Sequence, residues 1–199
     1  MISLPRHFPT VVHMLQEAAA EAGDAEALVA GDERLSYAEY LSCVAGFARE
    51  LQTRVAAGER VAMLMGNSTD ICIALFATHA AGAVAVPLNP LYTERELRPV
   101  LADARPTVLI HDDAVAPLAV ALSEELGISH VIAVGPANRR LTAWRHEQLR
   151  LPEPLPSPDS LATLQYTGGT TGRSKGVRLT HAAIATNIAQ REALLPTRS

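Results

Sequence analysis

Arg60-Val61-Ala62-Met63-Leu64-Met65, then Gly66-Asn67-Ser68, then residues 70–81, then Ala83-Val84-Ala85-Val86 form the stretch whose reading decides the fold. An apolar run of strand length, a turn, a helix-length segment and a second apolar run make a strand–helix–strand unit. Neither run alternates apolar with polar residues. Both faces of each strand are therefore expected to be covered, as in a parallel sheet layered with helices. Residues 71–86 are apolar apart from Thr78 and His79 and could pass for a membrane span. The stretch is shorter than the ~20 residues a bilayer needs, Gly82 interrupts it and Pro87 ends it. A buried helix running into a buried strand explains it better.

The same alternation continues outward in both directions. Residues 10–22 carry apolar side chains at 11, 14, 15, 18, 19 and 22 before Gly23, a helix with a glycine stop. Residues 27–30 and Arg34-Leu35 flank Gly31-Asp32 as a short hairpin or turn. Ser36-Tyr37-Ala38-Glu39 is a capping box that opens a helix to about Arg54. Downstream, Thr93-Glu94-Arg95-Glu96 is a second capping box, for a helix ending near Ala104 before Pro106. Residues 108–111 read as a strand, 117–126 as a helix stopped by Gly127, and 130–134 as another strand. The expected fold class is α/β, a mostly parallel sheet layered with helices.

Composition agrees with one large domain. The 199 residues carry 17 Lys+Arg against 21 Asp+Glu for a net charge of -4, and 48% are hydrophobic. That combination excludes a disordered tail, and the mildly acidic balance argues against a general nucleic-acid binder. Because 34 residues are alanine, the apolar fraction overstates the bulky core. Cys43 and Cys72 lack a CxxC partner and read as small buried hydrophobes with reduced thiols, not a disulfide scaffold. The first ten residues break any apolar run with Pro5, Arg6, His7 and Pro9, so no secretory signal is expected and the chain reads as cytoplasmic.

Pro152, Pro154, Pro156 and Pro158 alternate through residues 151–160, a connector that cannot be helix. Beyond it, residues 160–191 contain no Asp or Glu, while Arg173, Lys175, Arg178 and Arg191 are cationic. This acid-free stretch holds Leu164-Gln165-Tyr166-Thr167-Gly168-Gly169-Thr170-Thr171-Gly172-Arg173-Ser174-Lys175-Gly176. Gly168, Gly169, Gly172 and Gly176 can take positive φ and bring backbone N–H groups close to an anion. Thr167, Thr170 and Thr171 add hydroxyls, and Lys175 adds a point charge with three donors. The expected ligand is an oligophosphate. Residues 161–164 read as a strand holding the loop at a sheet edge, 177–179 as a returning strand, and Thr180 as the cap of a closing helix from His181. The pattern is neither G-x-x-x-x-G-K-[ST] nor G-x-G-x-x-G, which disfavours a Walker A loop and a dinucleotide site.

Residues 166–177 closely resemble the phosphate-loop signature of the adenylate-forming enzymes, and Leu164-Gln165-Tyr166 with Leu179-Thr180-His181 is most similar to long-chain fatty-acid–CoA ligases. Upstream support comes from Leu35-Ser36-Tyr37-Ala38-Glu39, Arg60-Val61-Ala62, Gly82 through Pro87-Leu88-Asn89-Pro90, and Tyr92-Thr93 with Glu96-Leu97. Ser174 stands where that family usually has Pro, which leaves the loop more conformational freedom. The resemblance implies that residues 1–199 are the first part of the large N-terminal AMP-binding domain. It implies ATP-dependent activation of a carboxylic acid, a long- or medium-chain fatty acid, as acyl-AMP, followed by transfer to coenzyme A. Thr167, Gly168, Gly169, Thr170, Thr171, Gly172 and Lys175 would bind the nucleotide, and Thr170 would ligate Mg²⁺. The metal-sharing glutamate, the ribose-binding aspartate and the C-terminal lid with its lysine would lie in the remainder of the enzyme beyond Ser199. No catalytic residue is then expected here, and the 199 residues alone are expected to have little or no ligase activity. A truncated nucleotide-binding or assembly module, or a ligase for aryl or amino acids, is the alternative, and a homodimer is left open.

The remaining motifs have plainer readings. His7, His13, His79, His111, His130 and His146 are scattered without an i,i+4 pair and are not expected to be ligands. His181 could approach a phosphate or serve as a cap or packing residue. His111-Asp112-Asp113 reads as a strand end with solvated acids, and Trp144 as a packing anchor.

Overall fold

The computed structural model describes residues 6–167 and 175–195. The chain begins with α1 (Val11–Ala22), the hairpin β1 (Glu26–Ala30) and β2 (Glu33–Ser36), and α2 (Tyr37–Leu51). The decisive stretch follows as β3 (Arg60–Leu64), α3 (Thr69–Ala80) and β4 (Val84–Leu88). Next come α4 (Glu94–Ala104), β5 (Val108–Asp112), α5 (Ala116–Leu126) and β6 (His130–Val134), and finally β7 (Leu161–Thr167), β8 (Lys175–Thr180) and α6 (His181–Leu194). Residues 151–160 contain neither helix nor strand.

Six strands form one sheet in the order β6-β5-β3-β4-β7-β8. All neighbouring pairs are parallel except β7 with β8, which is antiparallel. Alternate residues divide the core as a pleat requires. Val61, Met63, Ala85, Val108 and Ile110 face a cluster with α2 and α3, whereas Ala62, Leu64, Val86 and Leu109 face a second cluster with α4 and α5. Every one of these strand residues is fully buried. The unalternating apolar runs therefore mean what the sequence implied, helices on both faces.

Local signals explain most element ends. Ser36 accepts from the Glu39 N–H at 3.2 Å while the Glu39 carboxylate accepts from the Ser36 N–H at 3.0 Å, completing the first capping box. At α4, Glu96 accepts from both the N–H and the hydroxyl of Thr93, each at 2.8 Å. Gly127 closes α5 in the left-handed region at φ 64°. Gly23 does not work this way. Its φ is -53°, and an added Cβ would stand 2.8 Å from the Ala19 carbonyl oxygen, so close approach is what demands glycine there. The helix expected to reach Arg54 ends at Leu51, with residues 52–54 continuing as turns. Trp144 is a packing anchor as expected: Phe47 stacks against it at 6.2 Å, and Gly46 leaves room for its ring. Cys43 is buried and Cys72 half-buried; burial pushes the Cys43 thiol up to about 12.

β7, the strand read as holding the glycine-rich loop at a sheet edge, lies second from that edge. The antiparallel β8 occupies the edge, and β8 begins at Lys175 rather than at Val177.

Candidate functional site

The β7–β8 hairpin brings the two described ends of the glycine-rich segment together. Thr167 is the register partner of Lys175, and Tyr166 of Gly176. Both Thr167 and Lys175 are exposed. Gly168, Gly169, Thr170, Thr171 and Gly172 lie outside the described residues, and with them the expected Mg²⁺ ligand.

Gly176 has a different reason from the one expected. It is not among the described glycines with positive φ. A Cβ at Gly176 would stand 2.9 Å from Leu164 Cδ1 and 3.1 Å from Tyr166 Cζ, so a side chain there would force both neighbours to shift. Tyr166 is the support beneath it. Its ring is buried and its hydroxyl donates to Asp103 on α4, tying the end of β7 to the helix on that face. Burial and the adjacent Asp103 carboxylate hold the Tyr166 phenol above its ordinary range, so it stays a donor. Arg60 donates to the Ala104 carbonyl at 2.7 Å and fixes the same end of α4.

The other face of the hairpin rests on histidine. His79 on α3 is 3% exposed and His181, the first residue of α6, is 1% exposed. Their rings meet edge-on with centroids 5.2 Å apart, and His79 Nε2 lies 3.2 Å from Thr163 Oγ1 on β7. Burial pushes His79 down to about 3 and His181 to about 4. The packing role is therefore the one His181 takes among the described residues. The Thr180 hydroxyl caps α6 by accepting from the Ala183 N–H at 3.2 Å. Carbonyls of Ser160 and Pro158, at the end of the proline-rich stretch, accept from the first two N–H groups of α6 at 3.1 and 2.8 Å.

Other candidate groups are engaged in structure. Asp112 accepts from the Gly66 N–H at 2.7 Å, and Asp113 from the Ala137 N–H at 2.9 Å. These acids order loops at the ends of β3 and β6. Asp70 accepts from Arg140 Nε at 2.5 Å and from the Leu141 N–H at 2.7 Å, and Glu33 also accepts from Arg140. An open groove of ≈870 Å³ lies between α1, α2 and residues 145–153. One of its three carboxylates, Glu39, is held below the usual range by Arg145, which donates to both of its oxygens at 3.0 Å. Among the described residues no group of three His, Cys, Asp or Glu could hold a metal ion, and no helix is long and apolar enough to cross a membrane.

Sequence reasoning missed the His79–His181 contact and the Tyr166–Asp103 bond. The available signal for the first was a histidine inside an otherwise apolar run, at 71–86. Nothing in the sequence pointed to Asp103.

Residues 15–197 match the family model described as AMP-binding enzyme, and the chain belongs to that family. Similar proteins include the long-chain-fatty-acid–CoA ligase of Bacillus subtilis, 31% identical over 217 residues, covering 92% of this chain and 39% of that protein. The L-proline–[L-prolyl-carrier protein] ligase of Streptomyces coelicolor is 32% identical over 193 residues, covering 91% and 36%. Among solved structures, ATP-bound MatB from Rhodopseudomonas palustris superimposes with a TM-score of 0.76 at 29% identity, covering 92% of this chain and 37% of that one. The chain thus spans about 39% of the length of the fatty-acid ligases it matches.

Proposed function

We propose that this chain supplies the triphosphate-binding loop of an acid–thiol ligase that joins a carboxylic acid to coenzyme A using ATP. The observation that carries the reading is the hairpin itself. It sets Thr167 opposite Lys175 at the two ends of the segment Gly168-Gly169-Thr170-Thr171-Gly172-Arg173-Ser174. The absence of Asp and Glu from residues 160–191 removes the charges that would repel a polyanion.

In the proposed reaction a carboxylate oxygen attacks the α-phosphorus of ATP, and the bond to the bridging oxygen breaks as pyrophosphate leaves. The coenzyme A thiol then attacks the acyl carbon and AMP departs. Residues of this chain need supply no base. Backbone N–H groups and threonine hydroxyls would hold the β- and γ-phosphates in line, and Lys175 would offset charge gathering on the leaving pyrophosphate. Lys175 stands exposed and available for this. Thr170, whose hydroxyl is a hard oxygen donor, would hold Mg²⁺, which would offset the phosphates' negative charge.

A long- or medium-chain fatty acid is the substrate class that the fatty-acid ligase relatives support. The similarity to a proline ligase supports amino acids as a second class. ATP and coenzyme A as co-substrates support a cytoplasmic location.

Titration of the chain with a fluorescent ATP analogue and Mg²⁺ tests the loop. A charge-assisted hydrogen bond contributes about 1.5–3 kcal/mol, so Lys175→Ala is expected to weaken binding roughly 10- to 100-fold. Equal affinities for the two chains, or no binding by the wild type, would overturn the assignment.

A further inference from the structure

The underside of the hairpin is fastened by a contact that the proposed chemistry does not use. α6 has only two buried residues, His181 and Ala185. His181 is therefore its principal anchor, and it lies directly after β8. The partner is His79 in the last turn of α3, which also reaches Thr163 on β7. The Nδ1 atoms of both rings are buried and have no hydrogen-bond partner among the described residues. Two imidazoles in edge contact at 5.2 Å with unpartnered nitrogens fit together only while both are uncharged.

We propose that His79 and His181 are a pair of positioning residues that form an acid-sensitive latch. Neutral, they seat the loop-bearing hairpin and α6 on α3; protonated, they release it. A backbone hydrogen bond with Ala162 favours a charged His79, but burial and the neighbouring His181 outweigh it. From α1 the group acting on His181 is another imidazole, His13, whose Nδ1 lies 2.8 Å from Thr10 Oγ1. β7 presents the Thr163 hydroxyl, and the cationic residues of β8, Lys175 and Arg178, are exposed. The carboxylates on the packed helices serve other cations, Glu17 and Glu21 with Arg6 and Asp70 with Arg140. The N-terminal end of α6 also carries the positive end of the helix dipole, which disfavours a charged His181.

The sign follows from linkage. The seated rings titrate at about 3 and 4, below the ~6.5 of an exposed imidazole, so the released form binds more protons in acid. Seating is at full strength above about pH 6.5 and weakens as pH falls toward 4. For each ring that becomes exposed on release, the opening equilibrium should rise about tenfold between pH 7.5 and 5.5.

Hydrogen exchange of the whole chain without nucleotide reads that equilibrium directly. Protection factors, corrected for the intrinsic pH dependence of exchange, should fall at least about tenfold in β8 and the first turns of α6 between pH 7.5 and 5.5. Those of β3 and β5 should change far less. His79→Gln/His181→Gln, which cannot take up a proton, should flatten the response. An unchanged response in that variant, or an equal loss of protection in β3 and β5, would overturn the latch. If the double variant does not fold, ring NMR of the wild type decides: both imidazoles neutral at pH 5.5 supports the latch, and titration near 6.5 in the folded chain refutes it. Because nucleotide is absent, failure of the triphosphate reading leaves this test intact.

Discussion

The parallel part of the sheet and the hairpin at its end are built on different terms. β3 is bonded to β4 through five register pairs and β5 to β6 through five more, and most side chains of β3, β4 and β5 are buried on both faces. β7 pairs with β4 at Ala85 and Thr163, and β8 is exposed for most of its length. The first region is specified by many interchangeable apolar contacts. The second depends on a few particular ones: Tyr166 with Asp103, the missing side chain at Gly176, and the two histidines. On the proposed function, that division would give a loop that binds a polyanion a rigid floor to rest on.

The sharpest way to break this contrast is a cavity in the parallel region. Leu64 is fully buried against the helices of one face, and Leu64→Ala should cost about 2–5 kcal/mol, lowering the urea midpoint of the whole chain. An effect confined to the hairpin would contradict the division. Tyr166→Phe keeps the ring under Gly176 and removes only the bond to Asp103. It should cost about 1 kcal/mol and raise proteolytic cleavage within the hairpin more than elsewhere. Lys175→Ala, at an exposed edge position, should leave stability within about 0.5 kcal/mol of wild type while nucleotide binding falls. A large loss of stability there would mean that Lys175 serves the fold rather than a ligand.

What could be read from the sequence divides along the same line. β3, α3 and β4 were legible because burial on both faces leaves uninterrupted apolar runs, and their flanking turns are local. α4 was legible from Thr93 and Glu96 even though Pro99 lies within it. Strand order was not, because it is set by pairing between distant segments. The position of β8 at the edge was hidden for a related reason, as an exposed strand such as Lys175–Thr180 needs no apolar run. Gly176 was read as a glycine of conformation when it is a glycine of contact, a distinction that depends on Leu164 and Tyr166 across the ladder. His79 looked like an incidental polar residue in an apolar helix. Its partner lies on α6, about a hundred positions away in the chain, where no local pattern reaches.

Centrally, the segment between Thr167 and Lys175 is proposed to grip a triphosphate. Amide NMR spectra of the isotopically labelled chain, recorded with and without Mg²⁺ and ATP, test it most directly. Shifts concentrated in residues 165–181, with β3 and β5 unmoved and the response lost in Lys175→Ala, are the expected result. Shifts centred on another surface, such as the groove beside Ser36 and Arg145, or no shifts in the hairpin at saturating nucleotide, would contradict it.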